Sequence, residues 1–421
     1  MIKRVFVLGS GFSKSLIDDM PLINEFFTQN NRKKVMDEIK KRGKPDKFNE
    51  LFSFIHTNSK LFGNTKYDFD IEKLASFLTS YAFCDSQEKK WEFVKLRNDL
   101  KSYINHLIKY CSQSKTKKVD ILNFIKQCSE ETIFITYNYD ILLERLFLSA
   151  LRNGDVRPSI ENPLLEELEL NKAQYWEYKE FVEAIYINQK NVYKKADKLN
   201  TLHIAFENWK VSDAFNLTTG YGFRSTLFEE LDFDDERALV NGKLKNSKVK
   251  IYKLHGSINW FKYKGERKAD VDNICIGIPI TDTFIDRHET YLSFKDNESS
   301  IKAMFEAVPE IVPMTYNKSV YLEKPLYEII WNRAYKALKA ADEIYFIGYS
   351  FPETDINNTY FYKEFENKIK GVCVYYYKKN GEVDHDELNK FTNRFKKYFP
   401  SIKNNLISNK DAILYINDTF K

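Results

Sequence analysis

The sequence predicts an α/β protein built on a doubly wound parallel sheet, with a helical subdomain inserted into it. Short apolar runs, each followed by a small or polar cluster, alternate with stretches of helical periodicity. Buried strands that alternate with helices are typical of parallel sheets. The runs are VFVLGSGFS (5–13), TIFITYNYD (132–140), IYKLHGSINW (251–260) and EIYFIGYS (343–350). A sheet of this kind is Rossmann-like in its layering.

Composition narrows the class of protein. The chain has 421 residues, of which 43% are hydrophobic, so it can bury a large core. Its 65 basic and 60 acidic residues leave a net charge of +5, and direct nucleic-acid binding is not expected. No apolar run reaches the length of a membrane span, and the N-terminus lacks a cleavage signature, so we expect a cytoplasmic protein without a membrane partner. The five cysteines are scattered without CxxC spacing, so neither a disulfide framework nor a zinc site is expected.

The first element is a buried strand at 3–8, which turns through GSG (9–11) into a helix with Ser13 near its start. The glycine spacing resembles a dinucleotide-binding turn, but Lys14 stands where a third glycine would. No second strand with an acidic end follows at the expected distance. A dehydrogenase-type domain is therefore disfavoured, and a tight structural turn explains these glycines as well as a phosphate site does.

Helical patterns separate the strands. Apolar residues recur at helical spacing in 68–83 and 88–110, and the prediction assigns 31–128 and 151–215 to helical insertions. The sheet domain then consists of 1–30, 129–150 and 216–421. Its last part is predicted to contain an irregular stretch at 276–325, helices at 327–341 and 386–398, and strands at 343–349, 371–379 and 412–416.

Polar residues gather at the predicted strand ends, which meet at one edge of a parallel sheet, where ligands bind. They are Gly9, Gly11, Ser13, Asn138, Asp140, His255, Gly348 and Ser350. A neutral imidazole such as that of His255 can accept a proton near neutral pH. The carboxamide of Asn138 can hold water or a sugar hydroxyl, and N–H groups at a helix start favour a pyrophosphate. These parts suit the attack on a dinucleotide's glycosidic carbon through an oxocarbenium-like state.

Each residue also has an ordinary structural interpretation. A histidine after a strand is more often a hydrogen-bonded structural residue than a catalyst. Asn138 can cap the helix that begins near Ile141, and Asp140 can favour that helix's N-terminal dipole. Ser350 can be a turn residue before Phe351. Considered together, polar clusters at four strand ends favour a site.

The same stretches resemble the signature motifs of the sirtuin superfamily, in the same order. They are GSGFSKS (9–15), TYNYD (136–140), LHGS (254–257) and GYSFPETD (348–355). DMPLINEF (19–26), DIEKL (70–74) and VPMTYNK (312–318) further resemble its prokaryotic branch. The resemblance implies an NAD+ glycohydrolase that releases nicotinamide and ADP-ribose, as an NAD-depleting effector of bacterial anti-phage defence.

The resemblance also implies residue roles. His255 would be the catalytic base, and Asn138 would orient water or the nicotinamide ribose, with Asp140 supporting its loop. The residues implied against the phosphates and the adjoining ribose are Gly9, Ser10, Gly11 and Ser13, and those against the adenosine half are Gly348, Ser350 and Asp355. NAD enters as the substrate, and no metal is expected.

Departures from the protein-deacylating sirtuins bear on the activity. No paired CxxC motifs follow His255, DMPLINEF replaces their Asp-Phe-Arg stretch, and Tyr137 stands where they have Gln. These departures disfavour deacylation. An NAD-dependent protein deacylase or ADP-ribosyl transferase stays open as an alternative, and so does a non-catalytic nucleotide-sensing assembly module. The presence of both Asn138 and His255 weighs against the module.

Partners follow from the resemblance and from the aromatic content. Sirtuin-like proteins of this kind often work with a separately encoded partner, such as a HerA-type ATPase or a short Argonaute. The stretch YWEYKEFVEAIYI (175–187) carries more aromatic surface than a small domain readily buries. Because large apolar patches mark interfaces, we expect a homo-oligomer, with packing of this stretch into the core as the alternative.

Overall fold

The computed structural model describes most of the first 112 residues and the segments that build the sheet. The described ranges are 2–112 with gaps at 42, 64–69 and 82–86, then 132–143, 249–263, 275–277, 305–316, 325–352, 356–377 and 380–420, with single positions 114, 121, 124, 128, 146 and 318. The second predicted insertion, 151–215, lies outside these ranges, as do the aromatic stretch 175–187 and Asp355.

Strands and helices alternate through the described ranges. The strands are β1 (Arg4–Leu8), β2 (Thr132–Thr136), β3 (Val249–Lys253), β4 (Gly256–Tyr263), β5 (Cys275–Gly277), β6 (Phe305–Ile311), β7 (Glu343–Ile347), β8 (Ile369–Val374) and β9 (Ile407–Asn409). The helices are α1 (Ser10–Leu16), α2 (Gln29–Lys41), α3 (Asn49–Thr57), α4 (Ser59–Phe62), α5 (Ile71–Tyr81), α6 (Gln87–Cys111), α7 (Pro325–Ala340), α8 (Ile356–Lys363), α9 (His385–Tyr398) and α10 (Ala412–Thr419).

A six-stranded sheet with the order β3-β2-β1-β7-β8-β9 forms the centre of the fold. All of its pairings are parallel. The chain moves outward from β1 in one direction through β3, then returns and moves outward in the other direction through β9. A parallel sheet whose strand order runs outward in both directions from its first strand is doubly wound. The predicted α/β fold with a doubly wound parallel sheet is therefore confirmed.

The central strands form because their side chains are apolar on both faces. Residues Val5 to Leu8 are at most 1% exposed, as expected of a strand covered by helices on both sides. In the middle of the sheet, the Phe6 ring stacks on Phe134 of β2 at 5.4 Å and on Tyr345 of β7 at 5.6 Å. These cross-strand aromatic pairs help to fix the register.

The register aligns the strand ends that matter for the site. Leu8 at the end of β1 pairs with Thr136 of β2 on one side and with Ile347 of β7 on the other. Thr136 pairs in turn with Lys253 at the end of β3. The residues that follow these four strands therefore lie side by side at the carboxyl edge of the sheet.

A smaller antiparallel sheet, with the order β5-β4-β6, lies after His255 and corrects one prediction. The strand before His255 ends at Lys253, and the chain turns and enters β4 at Gly256. The predicted irregular stretch 276–325 contains β6, which pairs with β4. Such pairing between segments far apart in sequence leaves little local signal, and Pro309 within β6 obscures it further.

The predicted strand at 412–416 is wrong, because this segment is the helix α10. The Asp411 side chain accepts hydrogen bonds from the backbone N–H groups of Ile413 and Leu414, which caps the helix start. The Ala412 N–H donates to Ser15 Oγ at 3.1 Å, which attaches this helix to α1. The pattern of buried residues in 412–416 fits one helix face, and the preceding aspartate was the signal that the prediction did not use.

Helices α2 to α6 lie between β1 and β2 in the chain. Within α6, Leu100, Tyr103 and Leu107 are fully buried. They belong to the same continuous apolar cluster as the strands of the parallel sheet. The helical character of the described part of 31–128 agrees with the prediction, and its division from the sheet as an inserted subdomain stays a prediction.

Candidate functional site

A cleft of roughly 840 Å³, its open mouth included, lies at the carboxyl ends of the parallel strands. Here the strand order reverses between β1 and β7, which is where α/β sheets bind ligands. The predicted site residues that line it are Gly9, Ser10, Ser13, Asn138, Asp140, His255, Gly348 and Ser350. The fold therefore brings residues far apart in sequence to one cavity.

Gly11 is the described site residue that does not line the cleft. Its N–H donates to the Gly348 carbonyl at 3.0 Å, and the Gly9 N–H donates to the Ile347 carbonyl at 3.0 Å. These bonds hold the turn after β1 against the turn after β7. Because both glycine amides are already used, phosphate contacts from this turn would come from Ser10, which is exposed. A tight structural turn therefore accounts for Gly9 and Gly11 without a bound ligand.

Gly348→Ala is expected to destabilise the fold by about 2–5 kcal/mol. Gly348 has φ +66°, and a Cβ there would overlap the backbone N of Phe12. Left-handed strain contributes about 1–2 kcal/mol, and overpacking typically about 1–3 kcal/mol. Gly381→Ala is the matched control, since Gly381 has φ +85° with nothing within 4 Å of its Cβ position. Denaturant unfolding measures both, and equal losses would show that the contact with α1 is not tight.

Asn138, Ser13 and Asp140 form a hydrogen-bonded group beneath the cleft. Asn138 Nδ2 donates to the Gly9 carbonyl at 2.9 Å and to Ser13 Oγ at 2.9 Å. Ser13 Oγ donates to Asp140 Oδ2 at 2.7 Å. Since a carbonyl only accepts, the contact with Gly9 fixes the orientation of the amide. The Asn138 carboxamide oxygen has no hydrogen-bond partner among the described residues, so it can accept from a ligand.

The contacts of Asp140 agree with the structural role that the sequence suggests, at the start of the helical segment after β2. Its Oδ1 accepts from the backbone N–H of Leu142 at 3.0 Å, at the start of the following helical segment. Its carbonyl accepts from the buried ammonium of Lys253 at the end of β3. Asp140 thus fixes the loop that carries Asn138. Asn138 itself bonds back to the turn after β1, and its side chain makes no helix cap among the described contacts.

His255 is held at the cleft by backbone bonds on either side of it. The Leu254 N–H donates to the Thr136 carbonyl at 2.9 Å, and the Ile258 N–H donates to the Tyr139 carbonyl at 2.9 Å. The turn needs Gly256, which has φ +80°, a value that favours glycine. These contacts fix the histidine beside the Asn138 loop.

The imidazole of His255 is the most unusual group of the cleft. The residue is 6% exposed, and its Nε2 is buried without a hydrogen-bond partner in the described structure. Burial, and second the positive charge of Lys318, lower the pKa of the imidazole well below its ordinary value. A hydrogen-bonded structural histidine would have a partner for this nitrogen. The described contacts therefore do not match that interpretation.

Aromatic rings form a wall beside His255. The Tyr137 ring lies 4.9 Å from the imidazole and stacks on Tyr349 at 4.6 Å. The hydroxyls of Tyr137 and Tyr362 share a 2.7 Å hydrogen bond, and Asn358 Nδ2 donates to the Tyr349 hydroxyl at 2.9 Å. Burial raises the pKa of Tyr137 well above its ordinary value, so the wall is uncharged at neutral pH. Low local polarity of this kind strengthens electrostatic interactions in the cleft.

Glu72 and Lys318 also line the cleft, and the sequence analysis did not single them out. Lys318 is 6% exposed, and burial lowers its pKa to about 8 against the opposing effect of Glu72. They stand in DIEKL (70–74) and VPMTYNK (312–318), stretches that the sequence analysis compared with the prokaryotic sirtuin-like branch. The sequence resemblance therefore pointed to the stretches that contain these two residues, but it implied no role for either of them.

In the described ranges, no group of three or more His, Cys, Asp or Glu residues is placed to hold a metal ion. None of the described helices combines the length and apolar character that a membrane crossing requires.

No protein-family model matches the chain. No curated protein is significantly similar to it.

Proposed function

We propose that the cleft binds NAD+ and that His255 and Asn138 hydrolyse the bond between its nicotinamide and ribose. The protein would then be a sirtuin-like NAD+ glycohydrolase. The observation that carries the proposal is the buried Nε2 of His255, which has no hydrogen-bond partner in the described part of the chain and lies in the cleft that Asn138 also lines. An unpaired buried imidazole nitrogen is costly unless a ligand or a water uses it.

The chemistry needs few groups from the protein. The bond between ribose C1′ and the pyridinium nitrogen breaks, and its electron pair neutralises that nitrogen, so no acid is required. Water adds to C1′ and gives one proton to His255 Nε2. The products are nicotinamide and ADP-ribose. The lowered pKa of His255 supports this role, because the imidazole is neutral and can accept the proton at pH 7.

The Asn138 side chain can act on a ligand only as a hydrogen-bond acceptor. Both N–H bonds of its carboxamide are used by Gly9 and Ser13. Its oxygen can therefore accept a hydrogen bond from the attacking water or from a ribose hydroxyl, both of which are donors. An accepting oxygen at this position suits a reaction with an oxocarbenium-like state, because the attacking water must be held close to C1′.

Product identification tests the proposal. The purified protein is incubated with NAD+, and the products are separated by chromatography and identified by mass. Nicotinamide with free ADP-ribose supports hydrolysis. An acylated ADP-ribose formed with an acylated peptide would favour the deacylase, and ADP-ribose attached to protein would favour the transferase. Unchanged NAD+ under every condition, with saturable nucleotide binding, would favour the nucleotide-sensing module.

The biological role follows from the activity. An enzyme that empties the NAD pool harms its own cell, which suits an effector of bacterial anti-phage defence acting in the cytoplasm. Such an effector needs control, so we propose that it is held inactive until it assembles with itself or with a separate partner. A HerA-type ATPase or a short Argonaute is the kind of partner that the sirtuin-like resemblance suggests. The NAD+ incubation is therefore repeated with each candidate partner.

The pH dependence of turnover is expected to have its acid limb below pH 6.5, the ordinary pKa of histidine. The pKa of His255 is lowered, first by burial and second by Lys318. The neutral base therefore persists as the pH falls through 6.5, and kcat/KM falls only at lower pH. The profile of Lys318→Met should move upward in pH, because one opposing charge is removed. A wild-type limb at or above pH 6.5 would contradict the assignment.

A further inference from the structure

We propose that Lys253 is a positioning residue, whose buried ammonium holds the Asn138 loop (137–140) against the turn that carries His255. The inference rests on the proposed function, because it concerns the relative placement of the two side chains to which that function assigns the chemistry. Neither the sequence analysis nor the proposed mechanism gives Lys253 a role. The contact that points to one is the hydrogen bond from Lys253 Nζ to the Asp140 carbonyl.

Lys253 lies between the two groups in the fold. It is the last residue of β3, two residues before His255. Its backbone is in register with Thr136, the last residue of β2. From there its side chain reaches Asp140, at the end of the loop that follows β2. A single side chain therefore connects the strand that leads to His255 with the loop that carries Asn138.

The burial of Lys253 indicates a role beyond packing. The residue is 1% exposed and is among the largest fully buried side chains of the described ranges. Lysine is almost never fully buried, since taking an ammonium out of water is costly. Its neighbours Ile251 and Leu254 are equally buried, so apolar side chains suit this segment. A buried ammonium at this position is therefore explained by the bond that it donates and not by the filling of space.

The bond to Asp140 acts on the Asn138 side chain through a short polar chain. Asp140 Oδ2 accepts from Ser13 Oγ at 2.7 Å, and Ser13 Oγ accepts from Asn138 Nδ2 at 2.9 Å. Because the Ser13 proton is directed to the carboxylate, the Ser13 oxygen can accept from the amide. A shift of Asp140 would therefore change the orientation of the Asn138 carboxamide, whose oxygen we propose holds the water or a ribose hydroxyl.

Two further bonds reach the Asn138 loop from residues after the histidine. The Ile258 N–H donates to the Tyr139 carbonyl at 2.9 Å, and Ser257 Oγ donates to the same carbonyl at 3.3 Å. Lys253 lies before the histidine and bonds to the next carbonyl along the loop. Of these three donors it is the charged one, and charge-assisted hydrogen bonds are roughly twice as strong as neutral ones. Removal of the ammonium should therefore loosen the loop while the other two bonds remain.

A double-mutant cycle tests whether Lys253 acts through Asn138. Lys253→Met keeps the approximate length of the side chain and removes the ammonium. In the wild-type background it should lower kcat/KM for NAD+ by on the order of tenfold, because the water or ribose hydroxyl is held less well. In the Asn138→Ala background the same substitution should lower kcat/KM by less than about twofold, because the group that it positions is already absent. Turnover is measured on the purified protein, with a candidate partner where turnover requires one.

A buried lysine elsewhere gives the matched control. Lys101 of α6 is 6% exposed and does not line the cleft. Lys101→Met also removes a buried ammonium, so it should lower the melting temperature while leaving kcat/KM within a few-fold of wild type. A lysine that serves only to stabilise the fold is the alternative for Lys253, and it predicts that the two variants behave alike.

Hydrogen exchange measures the loop itself and needs no turnover. Exchange of the backbone amides in 137–142 is followed by mass spectrometry in the absence of NAD+. This segment includes the Leu142 N–H, which donates to Asp140 Oδ1. Lys253→Met should speed exchange here by on the order of tenfold, since the loop opens more readily, while the amides of β1 keep their wild-type rates. Lys101→Met should leave exchange in 137–142 unchanged.

The outcomes separate the positioning role from the proposed function. A fall in kcat/KM that disappears in the Asn138→Ala background, with faster exchange in 137–142, supports the role of Lys253. Equal falls in the two backgrounds, no fall in the wild-type background, or unchanged exchange would each overturn it and leave the hydrolase intact. Absence of NAD+ cleavage in wild-type protein, with and without candidate partners, would overturn the proposed function. Hydrogen exchange alone would then decide whether Lys253 fixes the loop.

A second substitution guards against loss of the fold. If Lys253→Met does not fold, both measurements are made on Lys253→Gln, which keeps an N–H donor and carries no charge. Thermal melting checks that each variant is folded. Failure of both variants to fold would assign Lys253 to the stability of the whole sheet and overturn its local role.

Discussion

His255→Leu is expected to lower NAD+ turnover by about 10²–10⁴-fold, the usual effect of removing a positioned general base. The same substitution should cost little stability. Among the described residues, Nε2 of His255 is buried without a hydrogen-bond partner. An apolar side chain of similar size therefore removes an unsatisfied polar atom and breaks none of the side-chain hydrogen bonds found there. NAD+ turnover should therefore fall strongly while the melting temperature changes little. NAD+ turnover and thermal unfolding of the same preparation measure the two effects.

A second buried histidine gives the matched control. His106 is 8% exposed, and its Nε2 lies 2.8 Å from Lys47 Nζ, away from the cleft lining. His106→Leu breaks that contact, so it should lower stability while leaving kcat/KM within a few-fold of wild type. Turnover retained in His255→Leu, with a normal melting profile, would remove His255 from the mechanism.

The sequence predicts the parallel sheet and the gathering of its strand ends because both depend on local signals. An apolar run marks each central strand, and the small or polar residues after it mark where the strand ends. Parallel pairing then brings those ends together, and the observed register places Leu8, Thr136, Ile347 and Lys253 at one level. Most of the cleft lining that was predicted follows from this geometry alone.

Other features depend on tertiary contacts that a local pattern does not contain. Pairing of β6 with β4 joins segments far apart in the chain, within a stretch expected to be irregular. The use of the Gly9 and Gly11 amides depends on the approach of the turn at Gly348. Glu72 sits in the first turn of a helix, where an acidic residue is ordinary. Only the fold shows that this helix places it in the cleft.

Asn138→Ala is expected to lower NAD+ turnover by about 10²-fold or more, and to cost about 1–3 kcal/mol of stability. The activity loss follows from the carboxamide oxygen, which we propose holds water or a ribose hydroxyl, and positioning effects of this kind are large. The stability loss follows from the donors, because the Gly9 carbonyl and Ser13 Oγ lose their bonds to Nδ2.

A control variant and an isosteric variant separate these two effects. Asn31 is a buried asparagine whose Nδ2 donates to the Glu25 carbonyl at 2.7 Å, and it does not line the cleft. Asn31→Ala should lose comparable stability in denaturant unfolding without losing turnover. Asn138→Asp keeps an acceptor oxygen but places a carboxylate near the Gly9 carbonyl, so it should be less stable than Asn138→Ala. If Asn138→Ala and Asn31→Ala lose stability equally and both keep full turnover, Asn138 serves only to hold the turn after β1.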